Sequence, residues 1–194
     1  MEVDKKMGID VYEQIPVMES EKFLLREIED DGDAEDLLKV YSDKDAVPLF
    51  NSDNCVNGFY YTSIEKMKDT IAFWKREYQS RYYVRWAIID KNANCAIGTI
   101  ELFNRRAKDY FNNCGLLRLD LRSDYEKQDA IENILGIIIP KTRDMFACEM
   151  IATKAVSIAQ ERIQALEHMG FCLSEEALIG YDGTKYNSYY VREV

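Results

Sequence analysis

YYVRWAIIDKNANCAIGTIELF, residues 82–103, holds two apolar runs rich in β-branched and aromatic side chains, separated by a polar turn. Each run (82–89 and 96–103) has strand length, and the Asp and Asn residues of DKNANC suit a reversal, so the stretch predicts an antiparallel hairpin. After the polar loop NRRAKDYFNN, residues 115–121 predict a third strand beside the second, completing a meander.

Upstream, Ile64, Met67, Ile71, Trp74 and Tyr78 step by three and four residues, which predicts an amphipathic helix capped by Ser63 or Thr62. Before it lie a strand at 23–28, the acidic turn EDDGDAED, and a helix with Ala34, Leu37, Leu38 and Tyr41 on its apolar face. Residues 42–62, with Pro48, form a long irregular connection of the kind that lines sites. Residues 1–20 are expected to be irregular.

Downstream, Ile131, Ile134, Leu135 and Ile138 mark a helix that Pro140 kinks or ends. Residues 150–156 predict a buried strand, and Ile163, Leu166 and Met169 a last helix stopping at Gly170. Short strands at 171–173 and 177–179, a turn at 181–184 and a strand near 189–191 close the chain. The expectation is one domain over residues 1–194, of α+β (mixed α/β) class, with six to seven strands.

The chain has 194 residues, 47% hydrophobic and 31% charged, and no apolar run long enough to span a bilayer. Its start lacks the apolar core of a secretory signal, so the expected location is cytoplasmic, away from membranes. Five widely spaced cysteines without a CxxC pair suggest reduced thiols rather than a disulfide framework or zinc knuckle. His168, the single histidine, leaves a His-rich metal site or a Ser-His-Asp triad without enough imidazoles, and no metal is expected. A formal charge of −10 disfavours nucleic acid and suits an amine-bearing partner.

The element order, with three local stretches, resembles the GNAT superfamily of acetyl-CoA-dependent N-acetyltransferases. Trp86-Ala87-Ile88 through Ile97-Gly98-Thr99-Ile100 looks like its central hairpin. Leu119-Asp120-Leu121-Arg122-Ser123-Asp124-Tyr125 is similar to its fourth strand and the approach to its cofactor loop. Leu166-Glu167-His168-Met169-Gly170-Phe171 looks like the end of its last core helix. The likeness runs from about Lys22 to the C-terminus and leans toward the branch that acetylates protein N-termini and small amines.

The resemblance implies a twisted mixed sheet with helices on both faces, whose strands 116–121 and 150–156 splay apart around the pantetheine arm of acetyl-CoA. The arm would bond the strand edge at Leu119 and Leu121 as an added strand does. The pyrophosphate would rest on the loop Glu126-Lys127-Gln128-Asp129-Ala130-Ile131, at unpaired helix-start amides. The family pattern there is Gln or Arg, two residues, Gly, one residue, then Gly or Ala; this chain places Glu126, Asp129 and Ile131 at those positions. These add bulk and negative charge where phosphate would approach. Asp129-Ala130-Ile131-Glu132 also has the form of a capping box that would consume the same amides, with a competing box at Ser123–Glu126.

For catalysis, Glu101 and Asp120 are the strand carboxylates placed to take the amine's proton; each is also a natural partner for Arg85, Arg118 or Arg122. The tyrosine and asparagine common in the family's last helix correspond to Leu166 and Ala159 here, so Tyr189 or Tyr190 would have to serve as the acid, against their ordinary reading as strand packing. Arg162 and Lys127 reach toward the cofactor's 3′-phosphate or are solvated, and His168 suits the negative end of its helix. Two functions follow: N-acetylation of a small-molecule or peptide amine by acetyl-CoA, or a non-catalytic GNAT-like module binding another ligand or a protein. Monomer and homodimer both remain open.

Overall fold

The computed structural model describes residues 10–194. Strands β1 (Met18–Glu19), β2 (Phe23–Glu27), β3 (Val84–Asp90), β4 (Cys95–Arg105), β5 (Cys114–Leu121), β6 (Met150–Lys154) and β7 (Cys172–Leu173) belong to one eight-stranded sheet. A separate pair, β8 (Leu178–Ile179) and β9 (Lys185–Tyr186), precedes the eighth member, β10 (Tyr189–Glu193), which lies between β6 and β7. Neighbours are antiparallel except for β5 and β6, which run parallel. The count exceeds six to seven because two-residue strands are too short to carry periodicity. One of them, β1, pairs with Leu24 and Leu25 inside the segment expected to be irregular.

The helices are α1 (Ala34–Tyr41), α2 (Ile64–Gln79), α3 (Gln128–Ile138), α4 (Thr142–Phe146) and α5 (Gln160–His168). Alternation along the strands sends Val84, Trp86, Leu117, Leu119 and Leu121 to a core shared with Ile131, Ile134 and Leu135 of α3 and Leu166 of α5. Ala87 and Ile89 face the other way, onto Leu37 and Tyr41 of α1 and Met67, Ile71 and Trp74 of α2. Helices therefore cover both faces.

Ser63 caps α2, its hydroxyl accepting from the Lys66 amide at 3.2 Å. Pro140 sits in a tight turn, Ile139–Lys141, that joins α3 to α4. Gly170, just past α5, has φ of +81°, a conformation that suits a residue without Cβ. Among the described residues no helix is long and apolar enough to cross a membrane.

Candidate functional site

The parallel pairing of β5 with β6 covers only Cys114–Leu117 against Met150–Thr153. Beyond it β5 continues beside β4 alone. Arg122 donates to Ile97 O at 2.9 Å, and the Asp120 carbonyl lies against Gly98, so even-numbered residues here turn their backbone groups toward β4. Leu119 and Leu121 therefore turn theirs into the gap that opens on the β6 side. No strand pairs with this edge among the described residues.

The gap is filled by the chain itself. Arg162, from α5, donates Nη1 to Leu119 O at 2.9 Å and to Leu49 O at 3.3 Å. Its Nε and Nη2 form a two-pronged pair with Glu126, both at 2.7 Å. Arg162 is only 2% exposed and Glu126 7%, so Arg162 is not the solvated charge that its place on a helix suggests.

At the mouth, α3 begins at Gln128, one residue before the expected cap, and Lys127 in the cap position makes no side-chain cap bond. The capping box at Asp129 does not form. Asp129 is a helical residue whose side chain is 77% exposed, 3.8 Å from Lys22. The competing box is absent too, replaced by a short turn at Ser123–Tyr125 with no side-chain cap. The first free amide, Gln128 N–H, is instead taken by Glu161 of α5 at 2.9 Å. Glu132, the box's other member, accepts from the Gln128 side chain at 2.7 Å and lies 2.8 Å from His168 Nδ1. Ala130 and Ile131 are buried in the core, so the bulk at Ile131 points away from the loop.

The depression at this mouth, about 320 Å³, is lined by Lys127, Gln128, Asp129, Glu132 and Glu161, three carboxylates to one ammonium. A carboxylate 4 Å from a phosphate charge costs about 1 kcal/mol in water and roughly 4 at an effective dielectric near 20. In this arrangement the cleft does not fit acetyl-CoA in the pose the resemblance implies: the place of the arm is held by Arg162, and the place of the pyrophosphate is acidic.

On the face toward α1 and α2, the strand carboxylates meet arginines. Glu101 Oε2 accepts from Arg85 at 2.5 Å and Glu101 Oε1 from Arg118 at 3.3 Å. Asp120 Oδ2 accepts from Tyr41 at 2.7 Å and Arg85 at 3.2 Å, while its Oδ1 is buried without a partner among the described residues. Burial pushes the Asp120 carboxyl above its ordinary range, against the pull of Arg85. The Arg85 guanidinium also lies 4.3 Å from the centre of the Trp74 ring. Arg122 pairs locally with Asp124 rather than with either strand carboxylate.

Tyr189 is 1% exposed and donates to Asp53 Oδ2 at 3.0 Å. Burial, then the neighbouring Asp53 charge, raises its phenol well above the usual value, a poor setting for a ready proton donor. Tyr190, the other tyrosine of that strand, packs in the opposite core. Asp53 also takes Lys154 at 2.7 and 2.8 Å, and its carbonyl accepts from Arg118 at 2.8 Å. Asp53 and Lys154 are functional candidates that local patterns miss, since a lone Asp in an irregular stretch carries no periodic signal.

Beside this network opens a cavity of about 1050 Å³. Glu101 and Arg118 reach its wall, as do Tyr82, Tyr83 and Tyr181; Asp120 and Tyr189 do not. Five basic side chains (Arg81, Arg105, Arg106, Lys108, Arg118) line it against Glu77, Glu101 and Asp109, with Arg81, Arg105 and Arg118 in ion pairs with Asp10, Asp109 and Glu101. Asp109 is engaged by Arg105 at 2.5 and 2.7 Å, whereas Arg106 and Lys108 are exposed.

No curated protein matches this sequence. Solved structures similar in fold include a protein described as a ribosomal-protein-serine acetyltransferase from Vibrio cholerae, 11% identical, TM-score 0.69, covering 93% of this chain and 98% of that one. The microcin C7 self-immunity acetyltransferase, solved with acetyl-CoA and AMP, is 16% identical with TM-score 0.65 over 90% of this chain and 94% of that one. The ribosomal L7/L12 α-N-protein acetyltransferase, solved with coenzyme A, is 15% identical with TM-score 0.65 over 92% and 98%. At such identities these likenesses establish the fold. A sequence-family match is independent of them: the acetyltransferase (GNAT) domain model matches residues 22–171. Because that match extends from just before β2 to the residue preceding β7, well over half of the chain, the chain belongs to the GNAT acetyltransferase family.

Proposed function

We propose that this chain is an acetyl-CoA-dependent N-acetyltransferase whose acceptor amine enters the cavity beside β4 and β5. The observation that carries this reading is the β5 edge at Leu119 and Leu121, turned into a gap that no strand fills among the described residues, next to a cavity of acceptor size. In this family's chemistry the cofactor supplies the activated acetyl group. The chain's part is to bind and orient the amine, keep it neutral and exclude water.

Glu101 is the proposed proton acceptor, through a water, because it alone of Glu101, Asp120 and Tyr189 reaches the cavity. Asp120 and Tyr189 are proposed as positioning groups, the first steadying Arg85 and the second Asp53. The basic cavity wall favours an acceptor with an acidic group beside its amine, as in an acidic peptide N-terminus. The unpaired thiols are in keeping with a cytosolic setting.

The test is release of coenzyme A, read with a thiol reagent and by acceptor mass, over a panel of amines at fixed acetyl-CoA. We expect release that depends on the acceptor, with acidic peptides above basic ones of equal length. Glu101→Gln should lower the rate most at low pH, where the amine is largely protonated; an unchanged profile would remove Glu101 from the role. Release no faster than the blank across the panel would turn the reading to the alternative, a non-catalytic GNAT-like module. The Arg162–Glu126 pair in the donor gap is the observation favouring that second reading.

A further inference from the structure

We propose that Arg162 and Glu126 form a latch that decides whether acetyl-CoA enters: the chain occupies its own donor cleft, and the cofactor binds only when this ion pair opens. The inference rests on the acetyltransferase reading and concerns the regulation of that same cleft. Its basis is the juxtaposition of three elements at one point. Leu119 of β5 presents its carbonyl to the gap, the Arg162 guanidinium from α5 binds it, and Glu126 from the loop before α3 holds the guanidinium with both oxygens.

An added strand needs the backbone groups of Leu119 and Leu121 free, and Arg162 takes one of them. The pair links the last helix to the loop that would carry pyrophosphate, so breaking it frees the strand edge and the loop together. A buried pair resists opening by one partner alone, because the other is left as an uncompensated charge. Glu161, on the Gln128 amide, and the three carboxylates of the mouth disfavour an entering phosphate, so the latch favours the closed form.

Removing both charges avoids leaving either one stranded, so Glu126→Gln with Arg162→Ala is the informative variant. Acetyl-CoA affinity is measured by calorimetric titration, alongside thermal melting and hydrogen exchange. We expect at least tenfold tighter binding in the double variant than in the parent, with the Leu119 and Leu121 amides newly protected by the cofactor. Equal, measurable affinity in both proteins would overturn the latch and leave the acetyltransferase reading in place. Absence of binding in both, with cooperative melting retained, would overturn the latch and the acetyltransferase reading together. Should the double variant not melt cooperatively, Glu126→Gln alone carries the comparison: a gain of threefold or more supports the latch, and no gain overturns it.

Discussion

Gly98 shows how a single position can be set by its neighbour across a strand rather than by its own torsions. A Cβ added there would lie 2.1 Å from the Asp120 carbonyl oxygen and 2.9 Å from the Leu121 side chain. The first obstacle is backbone, which cannot swing aside, so β4 and β5 would have to part at the point where β5 turns its edge to the gap. Overpacking of this kind typically costs 1–3 kcal/mol and occasionally more. Gly98→Ala is expected to fall at or above about 3 kcal/mol in denaturant unfolding; a loss below about 0.5 kcal/mol would show that the strands separate readily.

Between elements, the corner built around Asp109 carries a pH-dependent share of the stability. Asp109 accepts from Arg105 at the end of β4, from Phe111 in the β4–β5 connection at 3.0 Å, and from the Ile179 amide of β8 at 3.0 Å. The Arg105 hydrogen bonds, offset in part by burial, hold its carboxyl below the usual range. A lowered folded-state value means that the stabilisation is fully present above the unfolded value near 3.9 and is lost as pH falls through the folded value. Asp109→Asn should therefore destabilise by about 1–3 kcal/mol at neutral pH, with the gap to the parent closing below about pH 4. A difference that stays constant down to pH 2 would count against this account.

Across the molecule, Asp53 ties the connection between α1 and α2 to strands β5, β6 and β10. Its side chain is held by Lys154 of β6 and Tyr189 of β10, and its carbonyl by Arg118 of β5. The connection borders the cavity through Asn54, so holding it fixes one wall of the proposed acceptor site. Removing one partner of a buried pair leaves the other uncompensated and costs about 3–5 kcal/mol. Asp53→Ala should accordingly lower the melting temperature and raise amide exchange in the 50–56 stretch before it does so in α2. Exchange that rises uniformly over the chain would argue for a general loss of stability instead.

How the sequence relates to this architecture depends on the reach of each interaction. The hairpin, the amphipathic α2 with its Ser63 cap, the α5 ending at Gly170 and the order of elements are all written in spacings of two to four residues, because periodicity and capping act within a few residues of the chain. The family resemblance follows from the same local stretches, and so does the location of the proposed donor loop. The state of that loop does not. Local spacing predicts that Asp129 caps its own helix, yet the Gln128 amide is met by Glu161, 33 residues on, and Glu126 by Arg162, 36 residues on. Tyr189 finds Asp53 across 136 residues. Such pairs are set by sheet register and by the angle at which α5 crosses the gap. A buried charge must take whatever partner the packing delivers, or pay the cost of having none. Local sequence thus specifies where the proposed donor loop lies, whereas long-range packing determines that an ion pair occupies the gap beside it and that a cavity opens among residues 77–83, 101–109, 116–118 and 179–181, with only Asn54 from the 42–62 connection.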